Sequence, residues 1–347
     1  MVLALVLMAL LFISTLYNIG NYMSNLMHGR APRSYGRVAG PRLDEVVRED
    51  NDSANKVALV EINGIITDGP LDQGGYNMVD VLKAQLKRAE EDAHVKAVLL
   101  KVDSPGGEVL ASDEIYREIA SFQKKSNKPV VASMGGLAAS GGYYVSSPCR
   151  WIVANDLTIT GSIGVIMNTW NYRGLMDKVG LLPQTFKSGK YKDMLSGSKE
   201  PDQITQEEKD MVQALIDETF AKFKKVVREG RQQAHENNRK NRDQDAGRAL
   251  SDDWQNYADG RVLSGTEAYR LGFVDQLGTF EDAVERTRKL AGITSANLIE
   301  YQLRYDLSDL FRLFGKSDAK AVKVDLGLEA PKLHAGQLYF LSPTYLR

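Results

Sequence analysis

The sequence predicts an α/β body built on a mostly parallel sheet, and three observations carry that reading. Short apolar runs of strand type at residues 56–62, 95–102, 129–133 and 151–154 alternate with stretches of helical period. The run at 95–102 is continuously apolar apart from its lysines, as a parallel strand covered on both faces requires. Two glycine-rich turns, at 104–107 and 140–142, sit near the carboxyl ends of such strands, where open α/β sheets place their ligands.

Taken in order, residues 2–13 carry no polar or charged side chain, and the run continues to Ile19 with mild interruptions. Eighteen helical residues span about 27 Å, close to the hydrocarbon thickness of a bilayer, so residues 1–20 are expected to be a single transmembrane anchor. No Lys or Arg precedes the run and no small-x-small site follows it at Gly20 to Ser24, which favours a retained anchor over a cleaved leader. Arg30, Arg33 and Arg37 follow the run and by themselves favour the cytoplasmic side. Residues 21–55 are rich in Gly, Pro, Arg, Asp and Ser and read as a linker, residues 56–295 as the main body, and residues 296–347 as a C-terminal extension.

Within the body, the strand from Lys56 closes at Asn63-Gly64, and a helix over 78–92 spaces Val79, Leu82, Leu86 and Ala89 along one face. A helix over 108–122 carries Leu110, Ile115 and Ile119, and a third is expected over 137–146. From 203 to 231 a long amphipathic helix presents Met211, Leu215, Phe220, Phe223 and Val227, and the polar stretch 235–253 reads as a solvent-exposed turn or helix extension.

Composition excludes several classes of function. With 44 basic against 45 acidic residues the chain has no bulk bias toward nucleic acid. The single cysteine, Cys149, excludes an intramolecular disulfide and reads as a small buried hydrophobe. His28, His94, His235 and His334 show no metal-ligand spacing, so neither a metal nor a cofactor is expected.

The chemistry is expected in the glycine-rich turns. Ser140, between Ala138-Ala139 and Gly141-Gly142, can open a helix whose first N–H groups, Gly141 above all, face an oxyanion. Small neighbours let a substrate backbone approach. Asp103-Ser-Pro-Gly-Gly107 ends the strongest strand, and Gly107 can supply a second oxyanion donor; without a lysine and hydroxyl ending it is no Walker A loop. Lys192 can act as a general base toward Ser140 if its surroundings favour the neutral amine, and Ser162, bracketed by Gly161 and Gly164, can orient that amine. Each of these fragments alone is more often structural: a turn, a cap or a surface lysine.

Together, Ser104-Pro-Gly-Gly107, Ala138-Ala-Ser-Gly-Gly-Tyr-Tyr144, Gly161-Ser-Ile-Gly164, Ser188-Gly-Lys-Tyr-Lys-Asp193 and Ala258-Asp-Gly-Arg-Val-Leu-Ser-Gly-Thr-Glu-Ala268, continued by Leu271-Gly-Phe-Val-Asp275 and Leu277-Gly-Thr279, resemble the signal peptide peptidase A family of serine proteases over residues 56–290. The resemblance is to the short form, with one catalytic unit per chain. It implies a Clp protease/crotonase-like α/β fold of repeated β-β-α units with additional helices. It also implies a membrane-anchored Ser-Lys endopeptidase with Ser140 as nucleophile, Lys192 as base, Ser162 as the lysine-orienting hydroxyl, and Gly107 joining Gly141 in the oxyanion hole. Short forms assemble as homo-oligomeric rings and degrade remnant signal peptides and other hydrophobic peptides. The implied setting is the cell membrane, with the lipid bilayer as partner and the catalytic domain extracytoplasmic. Two other readings stand beside it: a crotonase-like enzyme acting on an acyl-CoA thioester, and a non-catalytic membrane scaffold that binds peptides.

Overall fold

Side chains that alternate between two apolar faces make the central strands of this protein a sheet covered on both sides. The computed structural model describes residues 40–70, 75–240, 245–304 and 338–341. The first half of the chain forms β1 (Leu43–Glu49), β2 (Lys56–Asn63), α1 (Met78–Glu91), β3 (Val95–Ser104), β4 (Gly106–Glu108), α2 (Val109–Ser126), β5 (Val130–Ala138), α3 (Gly141–Ser146), β6 (Trp151–Ala154) and β7 (Ile159–Gly161). The second half forms α4 (Arg173–Lys178), α5 (Gln206–Lys240), β8 (Val262–Ser264), α6 (Gly265–Arg270), β9 (Gln276–Leu277), α7 (Phe280–Leu290), β10 (Asn297–Leu303) and β11 (Tyr339–Leu341).

The main sheet runs in the order β1-β10-β2-β3-β5-β6-β9, with β7 and β8 attached beside β5. Every pairing along that path is parallel except β1 with β10 at the edge. Val98, Leu100 and Val102 of β3 are fully buried in the larger core with Leu82 and Leu86 of α1 and Ile115 and Ile119 of α2. Leu99, on the opposite face, joins Val57, Val131 and Trp151 beneath Ala283 of α7. Each such Val, Ile or Leu contributes about 1.5–3 kcal/mol by leaving water. Helix starts are set locally: Asn77 and Asp80 form a reciprocal capping box for α1, as Thr279 and Asp282 do for α7.

Several expectations are corrected here. The stretch taken as linker contains β1, and the stretch taken as a C-terminal extension contains β10, which pairs β2 inside the main sheet. The helix expected over 137–146 begins only at Gly141, because β5 continues to Ala138 and pairs Ser104 there. Leu110 and Leu215, expected on buried faces, are 76% and 47% exposed. The polar stretch from His235 does begin as an extension of α5, one of its two expected forms, but it is not wholly solvent-exposed: Asn238 is fully buried and accepts a bond from Arg150.

The expected membrane anchorage is also corrected. Among the described residues no helix is long and apolar enough to cross a membrane, and residues 2–19, on which the anchor was placed, lie outside them. The single-pass topology, the bilayer as partner and the extracytoplasmic placement all rested on that segment, and no described helix supports them.

The second half of α5 is tied to the sheet by a buried ion pair. Arg231 donates to Asp275 and to the Cys149 carbonyl at 3.1 Å, while Asp275 also accepts from Ile152 N at 2.9 Å and Arg248 N at 3.0 Å. Both side chains are essentially inaccessible to water. Removing one partner leaves an uncompensated charge in the core, so Asp275→Ala is expected to lower unfolding free energy by about 3–5 kcal/mol in urea titration. The double replacement Arg231→Met with Asp275→Leu is expected to recover most of that loss.

Candidate active site

β3 and β5 end side by side, and the turns after them form the site. Ala139 N donates to Ser104 O at 3.0 Å, which locks the chain leaving β5 onto the end of β3. Ser140 then takes φ 54° and ψ −115°, a left-handed conformation that costs a non-glycine residue on the order of 1–3 kcal/mol. Its N–H donates to Gly161 O at 2.8 Å, and Tyr144 N returns to Ser140 O at 2.8 Å to start α3. The sharp turn sets the Ser140 side chain at the head of a short helix. Its Oγ is buried and has no hydrogen-bond partner.

Two glycines permit this approach. Gly106 has φ 103°, and a Cβ on it would overlap Phe340 O and stand 2.6 Å from Gly141 N. A Cβ on Gly141 would stand 3.0 Å from Gly107 N and 2.8 Å from Ser112 Oγ. Gly107, Gly141 and Ser140 are therefore neighbours. Ser162 belongs to the same cluster: it follows Gly161, has φ 49°, and its N–H donates to Arg261 O at 2.7 Å. Cys149 is no competing nucleophile, because burial pushes its thiol up to about 12.

Lys192 is not joined to Ser140. It is exposed, on a segment where Lys187 pairs with Asp193 at 2.7 Å, Lys190 with Glu207 at 2.8 Å and Lys199 with Glu208 at 2.7 Å. Among the described residues Lys192 itself makes no side-chain hydrogen bond or ion pair. The flanking segment also exposes large apolar groups, including Trp170, Leu182 and Phe186 at 78%, 77% and 93%.

Some residues at the site escaped the sequence reading. β11 runs antiparallel along β4, with Phe340 opposite Gly107, and on its other side Tyr339 N donates to Ile166 O at 3.0 Å while Tyr339 O accepts from Ile166 N at 3.2 Å. The Phe340 ring is buried, stacked on Tyr144 at 4.8 Å between centroids and tilted against Phe223 at 4.6 Å. Tyr144 OH donates to Asp113 at 2.7 Å, and Asp113 also takes Lys222 Nζ and Arg117 at 2.7 Å each. Tyr144 stands inside a motif already singled out. Phe223 was read only as part of the apolar side of its helix, and Phe340 and Asp113 gave no local signal, since the meeting of the three depends on distant segments.

A family model described as peptidase family S49 matches residues 122–294, and one described as Clp protease matches residues 53–149. A candidate signal peptide peptidase, SppA, of Enterococcus faecium is 38% identical over 264 residues, covering 75% of this chain and 71% of that protein. A candidate protease of Methanocaldococcus jannaschii is 42% identical over 215 residues, 62% of each chain. A candidate protease of Synechocystis is 38% identical over 275 residues, 79% of this chain and 88% of its own. With the alternating β/α order, the two family matches give the Clp protease/crotonase-like fold of β-β-α units.

Asp113 makes stability at this site depend on pH. Burial pushes its carboxyl upward, but the hydrogen bonds from Lys222 and Tyr144 and the nearby charges outweigh it, so the net displacement is downward. A depressed folded value means that its contribution is complete above the unfolded value of about 3.9 and is lost as pH falls through the folded one. Urea midpoints taken from about pH 5 down to about pH 2 are expected to fall more steeply for the parent than for Asp113→Asn.

Proposed function

The chain belongs to peptidase family S49 and is a serine endopeptidase, and from that premise we propose that Ser140 is its nucleophile and Lys192 its general base. The observation that carries the assignment is the strained, buried Ser140, whose hydroxyl has no partner and stands beside the backbone of Gly107 and Gly141. A hydroxyl held in a left-handed turn without an acceptor is costly unless chemistry uses it.

In this mechanism the neutral amine of Lys192 takes the Ser140 proton as Oγ attacks the peptide carbonyl carbon. The carbonyl oxygen becomes the oxyanion and accepts from the N–H groups of Gly107 and Gly141. Collapse breaks the C–N bond, and the lysine ammonium gives its proton to the leaving amine. Lys192 then deprotonates a water molecule that hydrolyses the acyl-enzyme. Ser162 orients the amine. The substrate lies extended beside β4, in the manner of β11, so main-chain hydrogen bonds hold it irrespective of sequence.

This scheme requires Lys192 to approach Ser140, and the exposed apolar groups on its segment are the surface that such an approach buries. The expected results are loss of fluorophosphonate labelling in Ser140→Ala and a fall of about 10²–10⁴-fold in peptide hydrolysis for Lys192→Ala. Ser162→Ala should lower kcat more than it changes KM. Mixing Ser140→Ala with Lys192→Ala protein reads where the base comes from: recovered hydrolysis means that a second copy supplies Lys192, and no recovery means that the chain's own segment closes. Full turnover by Ser140→Ala would end the proposal.

A further inference from the structure

The segment that carries Lys192 has little apolar support, and ion pairs hold it to the body. α4, which precedes it, buries no residue, and Leu182 and Phe186 face water. Against that background one polar link is nearly closed to solvent: Lys199 Nζ lies 2.7 Å from Glu208 Oε1, with the two side chains 12% and 5% exposed. The other Glu208 oxygen accepts from Thr205 N at 3.0 Å and Glu208 N donates to Thr205 Oγ1 at 3.2 Å, so the carboxylate is fixed by the capping box that starts α5. Lys199 also reaches Asp193 Oδ1 at 3.7 Å, where Lys187 Nζ donates at 2.7 Å. Asp193 is the residue after Lys192.

A carboxylate beside a lysine base stabilises the ammonium and so withholds the amine that has to take the serine proton. Here that carboxylate is engaged elsewhere. Asp193 Oδ1 is turned to Lys187 and Lys199, Lys190 pairs with Glu207 at 2.8 Å and Arg173 with Glu200 at 2.8 Å, and among the described residues Lys192 has no ion pair.

We propose that Lys199 and Glu208 are positioning residues for the base: they fasten the turn of Lys192 to the first turn of α5 and draw the Asp193 carboxylate away from the Lys192 amine. The proposal rests on the reading of Lys192 as base. Nearly buried ion pairs add little net stability, and their best-attested use is to fix register, which is what an exposed segment without a core of its own lacks. The links also keep their charge. The hydrogen bond between them pushes Lys199 up and Glu208 down, and the bond from Lys187 pushes Asp193 down, so all three stay ionised near and above neutral pH, where a lysine base works.

Two measurements test the proposal on the full-length chain. The first follows kcat, KM and kcat/KM against pH for the parent, for the double variant Lys199→Met with Glu208→Gln, and for the triple variant that adds Asp193→Asn. The double variant keeps the net charge and leaves neither member of the pair as a lone charge. Its kcat is expected to fall about 10–100-fold with KM little changed, because the base is misplaced. The acid limb of its profile is expected to move up by about one pH unit, because Asp193 then has only Lys187 as a rival partner to Lys192. Adding Asp193→Asn should return the limb to the parent's position while kcat stays low, since the turn is still unfastened. Lys199→Arg, which still spans both carboxylates, should keep more of the rate than Lys199→Met. A role confined to folding would lower the urea midpoint and leave the limb in place, and an unmoved limb in the double variant overturns the proposal.

The second measurement uses the unaltered enzyme, which bypasses any variant that fails to fold. With limiting acetic anhydride at alkaline pH, peptide mass spectrometry reads which lysines are acetylated. Lys192 is expected to react more than about threefold faster than Lys190 and Lys199, whose bonds to Glu207 and Glu208 hold them as ammonium. Equal rates at Lys192 and Lys190, both exposed, would mean that a carboxylate also holds Lys192 and would overturn the proposal. Failure of the base assignment is separately visible, because Lys192→Ala would then hydrolyse peptide at the parent's rate.

Discussion

The hydrogen bond from Ser140 N–H to Gly161 O is the constraint on which the site depends. It draws the turn after β5 against the turn after β7, and in doing so holds a serine at positive φ. The second restraint, Ala139 N to Ser104 O, fastens the same turn to the end of β3. Between them the carboxyl ends of three strands are brought to one place. The strain at Ser140 is stable because parallel strands packed on both faces leave those ends little freedom.

The rest of the molecule supports that arrangement in layers. α1 and α2 cover one face of the sheet and α7 the other, so the β3 end that carries Gly106 and Gly107 is fixed before any substrate arrives. The buried pair Arg231–Asp275 ties α5 to the start of β6, and through α5 it places Phe223 beside Tyr144. Lys222, one residue earlier on that helix, reaches Asp113 on α2. A helix remote from Ser140 in sequence thus supplies both the ring beside Tyr144 and the ammonium that pairs with Asp113.

The segment bearing Lys192 differs in kind. Its lysines are mostly engaged by carboxylates, its large apolar groups face water, and among the described residues Lys192 has no partner. Protein surfaces seldom keep Trp, Leu and Phe so exposed without something to cover them. The core of the candidate site is prearranged by the sheet, whereas Lys192 is exposed on a segment that turns large apolar groups to water.

By itself the sequence determined the periodic elements and the chemistry-bearing turns. The apolar run of β3, the spacing of Val79, Leu82, Leu86 and Ala89 on α1, and the small residues around Ser140 are local properties, set by side-chain period and by the φ that glycine allows. Tertiary structure decided what those elements meet. β1 and β10 lacked a readable local signal because an edge strand and its neighbour gain their stability only by pairing, here between residues more than 240 positions apart. The boundary between β5 and α3 was blurred because an apolar stretch suits strand and helix equally until Ser104 claims Ala138 as its partner. Phe340, Phe223, Tyr144 and Asp113 come from four separate elements, and no spacing along a chain can encode a cluster whose members meet only when the sheet has formed.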